Sequence, residues 1–276
     1  MAKKYLAESD IEEAAIEWLL QLKPYHYIHG EDIHRNRKKA VLEDVFENFL
    51  QQTYKHVPAK VLAEVKQEFL FNAVTDIHQR NHAFHLKLSK GISKTWKDDK
   101  GKQQFQHFYP INYDAVDKND FLVANQFTIE GKNRRRPDLI IFINGLPIVL
   151  FEFKNLFDQD ATVENAFNQV CHYIEDIPQV FETNALIVLS DGSTTLHGMY
   201  SSGIEWYAAW KSTDGIDTVT ADFALETLIK GLLVPERLLQ YIRFYIFHEL
   251  DKGKLVKKGA KYHQYFGIQY ALAETK

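Results

Sequence analysis

The sequence predicts an α/β fold in which helices flank a β-sheet. Three observations point to it: two apolar, β-branched runs joined by Asn144-Gly145, a helical segment after them, and a further apolar run at 184–190. Runs that are apolar at nearly every position are typical of strands covered on both faces, and Asn-Gly is a strong hairpin signal. With 276 residues the chain is long enough for one large or two small domains.

The N-terminal part is predicted to be mainly helical. Val57-Pro58 separates the second of its helices from the third. A strand with a turn and a returning strand follow them. The expected helices cover about 9–22, 38–55 and 58–80, and the expected strands 94–101 (with the turn) and 103–109.

The central part supplies the predicted sheet. Asp191-Gly192 permits another hairpin, leading into 194–200. The expected strands lie near 121–130, 138–143, 147–153 and 184–190, around a helix at 161–175.

After Gly215 the pattern changes to amphipathic helices. One begins at Phe223 and ends at Gly231, and the next opens at Pro235 and runs to Phe247. We therefore divide the chain at 215/216, with a helical segment from 216 to 276.

Charged residues stand out at the ends of the two central strands. Asp138 starts the first strand, and Glu152 and Lys154 end the second, where alternation along a strand gives them one face. A strict two-residue loop at 144–145 would pair position 138 with 151 and put Glu152 on the opposite face. A shared site therefore requires an odd-length loop or a β-bulge, with Gly145 suited to positive φ.

Two carboxylates that converge at a strand edge repel each other unless a cation lies between them. All-oxygen ligation suits Mg²⁺, or Mn²⁺, rather than zinc. Lys154 could then orient the nucleophile or stabilise charge on a scissile phosphate. The alternative is a solvated rim with an incidental ion pair. On the following helix, Gln169 and Tyr173 are four residues apart and share a face, although either could be an ordinary surface residue.

Asp138, Glu152-x-Lys154 and Gln169-x-x-x-Tyr173 together resemble the PD-(D/E)XK nuclease core with its QxxxY extension. In this order they resemble the nuclease region of the restriction (motor, R) subunit of type I restriction-modification enzymes. Four further segments agree with that family: Asn125-Gln126-Phe127-Thr128, Asn144-Gly145-Leu146-Pro147, Leu189-Ser190-Asp191-Gly192 and Lys261-Tyr262-His263-Gln264-Tyr265-Phe266.

The resemblance implies a restriction-endonuclease-like mixed sheet, with a nuclease domain over 1–215 and a helical linker and the start of a helicase-like motor over 216–276. It implies that Asp138 and Glu152 bind Mg²⁺, that Lys154 is catalytic, and that Gln169 and Tyr173 support the site or contact DNA. It also implies an acidic residue on the first helix, which Glu12 or Glu13 could supply, with Glu12 a candidate third metal ligand.

The family implies partners as well: double-stranded DNA, the motor of the same subunit, and methyltransferase and specificity subunits. The sequence holds no G-x-x-x-x-G-K-[ST] phosphate loop, so we expect an N-terminal fragment whose ATP-driven motor lies outside it. Gln264, beside His263, could contact the nucleotide in the full subunit, or it could be an exposed helix residue.

Two basic clusters are candidates for DNA contact. Arg134-Arg135-Arg136 directly precedes the predicted site, so Arg135 and Arg136 are expected near the DNA backbone, although one arginine could instead pair with a structural carboxylate. The run 34–39 could equally be a solvated loop before a helix. The formal net charge of −4 gives no global attraction to DNA.

The remaining composition excludes several classes of protein. The single cysteine, Cys171, excludes an internal disulfide, and no 18-residue apolar run or secretory leader is present. We therefore expect a cytoplasmic protein without a membrane segment. The favoured function is a DNA endonuclease. The alternatives are a non-catalytic DNA-clamping or docking module and, with less support, a solitary repair nuclease.

Overall fold

The fold is described from a computed structural model, which covers residues 7–154, 162–218 and 224–275. The helices are α1 (Glu8–Gln21), α2 (Glu43–Thr53), α3 (Ala59–Leu70), α4 (Ile77–Lys90), α5 (Val163–Asp176), α6 (Ala224–Leu232), α7 (Pro235–Phe244) and α8 (Tyr262–Glu274). The strands are β1 (His26–Tyr27), β2 (Ile92–Lys97), β3 (Gln103–Phe108), β4 (Phe121–Asn125), β5 (Ile129–Glu130), β6 (Arg134–Arg135), β7 (Leu139–Ile143), β8 (Leu146–Phe153), β9 (Leu186–Ser190), β10 (Thr195–Gly198), β11 (Ile246–Asp251) and β12 (Lys254–Gly259).

A six-stranded mixed sheet forms the centre, in the order β1-β4-β7-β8-β9-β10. The pairs β1·β4 and β8·β9 are parallel, and the other neighbours are antiparallel. β8 therefore lies between β7 and β9, buried along its whole length. The predicted α/β class is confirmed, as are the hairpins β2–β3 and β9–β10.

Helices cover both faces of this sheet, as the apolar runs predict. Alternate residues of β7 and β8 enter two different clusters: Ile141 and Phe151 pack with α1 to α4 and the C-terminal helices, whereas Ile140 and Leu150 pack with α5. Residue 152 is two positions after Leu150 on the same strand, so its side chain lies on the same face and projects toward α5.

Two helix boundaries in the N-terminal part differ from the prediction. The helix expected over 58–80 ends at Leu70, and a separate helix begins after Asp76, whose carboxylate caps it by accepting from the Gln79 N–H at 2.9 Å. The helix expected from residue 38 begins only at Glu43. The first residue of the helix expected at 161–175 lies outside the described residues.

The C-terminal part contains the expected helices and a hairpin that the sequence reading missed. α7 ends at Phe244 rather than at Phe247, and β11 and β12 then pair around Lys252-Gly253. This part shares the core of the N-terminal helices: α6 packs on α1, and the Tyr25 hydroxyl donates to the Leu233 carbonyl at 2.7 Å. The functional boundary at 215/216 stays a prediction.

Across the three described ranges, every helix is too short or too polar to cross a bilayer.

Candidate active site

The hairpin between β7 and β8 contains the irregularity that the site requires. Its turn has two residues, Asn144 and Gly145, with φ of 53° and 79°. Ile141 pairs with Val149 but Phe142 pairs with Pro147, so Ile148 is an extra residue on β8. This β-bulge confirms the register prediction, with a two-residue turn rather than an odd-length loop.

The bulge brings the two candidate carboxylates to opposite positions. Beyond it Leu139 pairs with Phe151, and one further step along the strands sets Asp138 opposite Glu152. Without the extra residue Glu152 would project to the other face of the sheet.

Asp138 is partly buried and held by the neighbouring strand. The backbone N–H of Phe153 donates to its Oδ2 at 2.6 Å. Burial raises the pKa of Asp138 well above its usual range, and the Glu152 carboxylate raises it further. The arrangement thus disfavours two negative charges at this point in the absence of a cation.

Glu152 is almost fully buried, with 2% of its surface exposed. Lys154 Nζ donates to its Oε1 at 2.6 Å, and the Tyr173 hydroxyl donates to its Oε2 at 3.0 Å. Burial raises the pKa of Glu152, although Lys154 and Tyr173 act against that shift. Each carboxylate oxygen therefore has a partner from a different element.

Lys154 directly follows β8. Its backbone N–H donates to the Ser190 carbonyl at 2.9 Å, which holds the residue next to β9. Burial lowers the pKa of its ammonium group, but the carboxylates of Glu152 and Asp138 outweigh burial, so the pKa is raised. Lys154 is thus held in its charged form beside the carboxylate pair.

Helix α5 brings Tyr173 and Gln169 to the site. Tyr173 is 3% exposed and lies against Glu152, and the Gln169 side chain hydrogen-bonds to the Tyr173 hydroxyl. Burial, followed by the charge of Glu152, raises the pKa of Tyr173, which therefore acts as a neutral donor. The structure thus connects Gln169 to Glu152 through Tyr173.

Helix α1 places two acidic residues near the same edge of the sheet. Glu8 lies close enough to act electrostatically on Asp138, Glu152 and Lys154. The sequence did not predict that Glu8 lies beside the site. Glu12 lies one turn further on, where the side-chain amides of Asn125 and Gln126 donate to its two oxygens at 2.6 and 3.2 Å. Glu13 is exposed.

The basic candidates have different environments. Arg135 donates to Asp176 Oδ2 through Nε at 2.7 Å, so it is the arginine that pairs with a structural carboxylate, whereas Arg136 is exposed. In the run 34–39, the Arg35 guanidinium stacks 3.4 Å from the Phe127 ring centroid and donates to the Thr128 carbonyl. Arg35 thus stabilises a loop.

Gln264 lies in the first turn of α8. Its Oε1 accepts from the Lys261 N–H at 2.8 Å, which caps the helix, and its side chain also lines a cavity of about 570 Å³ beside β12. A nucleotide contact by Gln264 stays a prediction.

The donor set of the site fits a hard divalent cation. In the parts of the chain that the structure describes, no three His, Cys, Asp or Glu side chains are placed to hold a metal together. Mg²⁺ commonly uses one or two carboxylates and completes its shell with water and substrate phosphate. Asp138 and Glu152 meet that requirement: burial raises the pKa of both carboxyl groups, and the charge of Glu152 raises the pKa of Asp138 further.

Comparison with known proteins shows which family the chain belongs to. Residues 5–205 match the family described as "Type I restriction enzyme R protein N terminus". The type I restriction enzyme HindI endonuclease subunit of Haemophilus influenzae is 31% identical over an alignment of 284 positions, which covers 98% of this chain and 27% of that protein. The putative type I restriction enzyme MjaIXP endonuclease subunit of Methanocaldococcus jannaschii is 29% identical over an alignment of 293 positions, which covers 96% of this chain and 27% of that protein.

This chain therefore spans 27% of the length of each of these two relatives. The family match extends over α1 and over every strand and helix that positions the carboxylate pair. The resemblance drawn from the motifs is thus confirmed, and the chain belongs to the type I restriction enzyme R protein N-terminal family.

Proposed function

We propose that this chain is the nuclease portion of a type I restriction enzyme R subunit and that it cleaves double-stranded DNA with Mg²⁺ as cofactor. The observation that carries the proposal is the bulged register, which sets Asp138 opposite Glu152 beside the charged Lys154. The names of the relatives, which are endonuclease subunits, support the same class of activity.

Asp138 and Glu152 would hold the cation. When bound, Mg²⁺ supplies positive charge next to the scissile phosphate and lowers the pKa of water. The Phe153 N–H and the Tyr173 hydroxyl keep the two carboxylates in place, since each donates to one of them. In the hydrolysis, a water oxygen bonds to phosphorus, the bond from phosphorus to the leaving oxygen breaks, and that oxygen takes up a proton.

Lys154 is proposed to stabilise the negative charge that builds up on the phosphate. Its raised pKa keeps the ammonium protonated at neutral pH, so it is suited to donate hydrogen bonds and not to accept the proton of the attacking water. Arg136, which is exposed and lies two residues before Asp138, is proposed to contact the DNA backbone without reading its sequence.

We further propose that an ATP-driven motor of the same subunit moves the DNA, and that methyltransferase and specificity subunits select it, in the cytoplasm. The relatives are long enough to contain such a motor, because this chain corresponds to 27% of their length. A non-catalytic DNA clamp is the alternative. It leaves unexplained why two carboxylates are buried against each other at one strand edge.

The test uses the complete subunit assembled with its partner subunits on plasmid DNA. Asp138→Asn, Glu152→Gln and Lys154→Met should each reduce cleavage by about 100-fold or more while ATP hydrolysis stays near the wild-type rate. Glu249→Gln is the matched control, because Glu249 also pairs with a lysine, Lys258, but in the hairpin β11–β12. Cleavage at the wild-type rate by any of the three site variants contradicts the role given to that residue.

A second measurement does not depend on activity. Calorimetric titration of the 276-residue chain with Mn²⁺ should show binding that Asp138→Asn and Glu152→Gln abolish and that Glu249→Gln retains. Unchanged binding in either site variant excludes that residue as a ligand.

A further inference from the structure

Gln126 has an unusual backbone conformation beside the site. Its φ is 52°, in the left-handed region that side chains other than glycine disfavour. Two other non-glycine residues in the described part of the chain have positive φ, Asn144 and Lys252. Each of them is the first residue of a two-residue hairpin turn, which requires that conformation. Gln126 instead follows β4 at a bend, so no tight turn accounts for its φ.

Hydrogen bonds on several sides hold Gln126 in place. Its backbone N–H donates to the Asp138 carbonyl at 3.3 Å, one step beyond the last β4–β7 pair, Asn125 with Leu139. Its side-chain amide donates to Glu12 Oε2 at 3.2 Å. The left-handed residue thus connects α1 directly to the backbone of Asp138.

Asn125 continues the same network. Its amide nitrogen donates to Glu12 Oε1 at 2.6 Å, and its amide oxygen accepts from the Tyr27 hydroxyl at 2.8 Å. Both oxygens of Glu12 are therefore occupied by two consecutive side-chain amides at the end of β4. A carboxylate used in this way ties a helix to a strand, which differs from the role of a metal ligand.

We infer that Glu12, Asn125 and Gln126 form a positioning unit that sets the place of the Asp138 carboxylate relative to Glu152, and that Glu12 binds no metal. The inference rests on the proposed function, because it concerns the same carboxylate pair. Strained backbone is retained where the surrounding structure enforces it, and it is found at functional sites. Here the enforcing contacts come from α1, and the residue they hold bonds to Asp138.

The first test varies the conformational preference at position 126 in the 276-residue chain and measures Mn²⁺ affinity by calorimetry. Gln126→Asn retains an amide on a shorter side chain, and asparagine tolerates positive φ. The Mn²⁺ affinity of this variant should therefore stay close to wild type. Gln126→Val is β-branched and disfavours positive φ, and its affinity should fall by about tenfold or more, as when outer partners of metal ligands are lost. Wild-type affinity in Gln126→Val overturns the inference.

Lys252→Val is the matched control. Lys252 has a φ of 48° in the exposed β11–β12 turn, so the substitution introduces the same local strain away from the site. It should lower stability without changing Mn²⁺ affinity. If it weakens Mn²⁺ binding as much as Gln126→Val does, the effect at Gln126 is one of stability and the inference fails.

Glu12→Gln separates a positioning residue from a ligand. As part of a positioning unit it should weaken Mn²⁺ binding by about tenfold at most, because glutamine can still accept from one amide. Loss of binding as complete as in Glu152→Gln would instead make Glu12 a ligand and overturn the inference. This measurement also decides the question if Gln126→Val does not fold.

Kinetics on the assembled enzyme give a further readout. Gln126→Val should lower kcat for DNA cleavage and leave KM for DNA unchanged, with recovery in Gln126→Asn. If Asp138→Asn itself retains Mn²⁺ binding, the proposed function fails. If Asp138→Asn loses binding and Gln126→Val does not, the failure concerns the positioning unit alone.

Discussion

The Tyr173 hydroxyl donates a hydrogen bond to Oε2 of Glu152 at 3.0 Å inside the protein. The bond crosses from α5 to β8 and joins two residues that are 21 positions apart in the sequence. We therefore expect the QxxxY motif to orient the glutamate that it follows.

Tyr173→Phe should therefore lower both stability and cleavage. Loss of the hydroxyl leaves a buried carboxylate oxygen without its donor, which costs about 1–3 kcal/mol in the free energy of unfolding. Single-turnover cleavage should slow by about tenfold, as for the loss of other supporting groups. Gln169→Ala should have a smaller effect on cleavage, because Gln169 acts through Tyr173.

Tyr207→Phe is the control for that experiment. Tyr207 is also buried, and its hydroxyl donates to the Met199 carbonyl at 3.2 Å. Urea denaturation should show destabilisation in both variants, and cleavage should slow only for Tyr173→Phe. Equal cleavage in the two variants refutes an orienting role for Tyr173.

Gly145→Ala should destabilise the fold more than Gly253→Ala. Both glycines have a φ of 79° and occupy the second position of a two-residue turn, so the cost of left-handed backbone is shared. A Cβ at Gly145 would lie 2.4 Å from the Leu42 carbonyl oxygen, whereas a Cβ at Gly253 meets no atom of the described residues within 4 Å. We expect a difference of about 1–3 kcal/mol in the free energy of unfolding, the usual range for overpacking. Equal losses of unfolding free energy in the two variants would show that α2 moves away from the added methyl group at little cost.

His85 should make stability depend on pH. Burial, followed by Lys257 and then His82, lowers the pKa of His85 from 6.5 to about 3, although its bond to the Ile246 carbonyl opposes the shift. His248 packs against His85 and has a pKa lowered to about 2, first by burial. The unfolded chain therefore takes up protons below pH 6.5 that the folded chain excludes. As a result, the free energy of unfolding decreases as the pH falls below 6.5.

The contribution of His85 to the slope of the unfolding free energy against pH should approach roughly 1.4 kcal/mol per pH unit well below pH 6.5. Unfolding at pH 7.5 and 5.5 should show a smaller loss in His85→Gln than in wild type. Asp138 and Glu152, whose raised pKa values act with the opposite sign, contribute equally to both proteins. His56→Gln, at an exposed histidine that hydrogen-bonds to Gln106, is the control for replacing a histidine by glutamine outside the core. A wild-type slope in His85→Gln contradicts the prediction.

Lys257→Met should stabilise the protein. Lys257 is 1% exposed, burial lowers its pKa to about 7, and its ammonium donates to the Asn184 carbonyl at 2.6 Å. That carbonyl keeps a second donor, the Asn81 amide at 2.8 Å, after the substitution.

Since the unfolded lysine is charged below pH 10.5, the gain should grow as the pH falls and level off below about pH 7. We expect a gain on the order of 1 kcal/mol or more. Thermal unfolding at pH 6 and 9 provides the comparison, with Lys258→Met on the partly exposed face of the same strand as control. Destabilisation at both pH values would show that the ammonium group contributes more than its burial costs.

The sheet and most of the site could be predicted because they depend on short-range patterns. Apolar runs and Asn-Gly define the β7–β8 hairpin, and the requirement that Asp138 and Glu152 share a face predicts its bulge. The helical spacing of Gln169 and Tyr173 likewise places both residues on one side of α5.

Other features depend on contacts distant in sequence. The hairpin β11–β12 was missed because its buried position 257 is a lysine, which hides the alternation of a strand, although Lys252-Gly253 is a usable turn signal. Glu8 was missed because only the packing of α1 determines which of its acids faces the carboxylates. The break between α3 and α4 was signalled by Asp76, a capping residue inside the predicted helix.

The packing of α1 on α6 has a mechanical consequence. One side of α1 lies against the C-terminal part of the chain, while its first turns hold Glu8 and Glu12 near Asp138. A helix of 14 residues is about 21 Å long and stiff over that length. α1 is thus a stiff connection between α6 and the edge of the sheet where Asp138 lies.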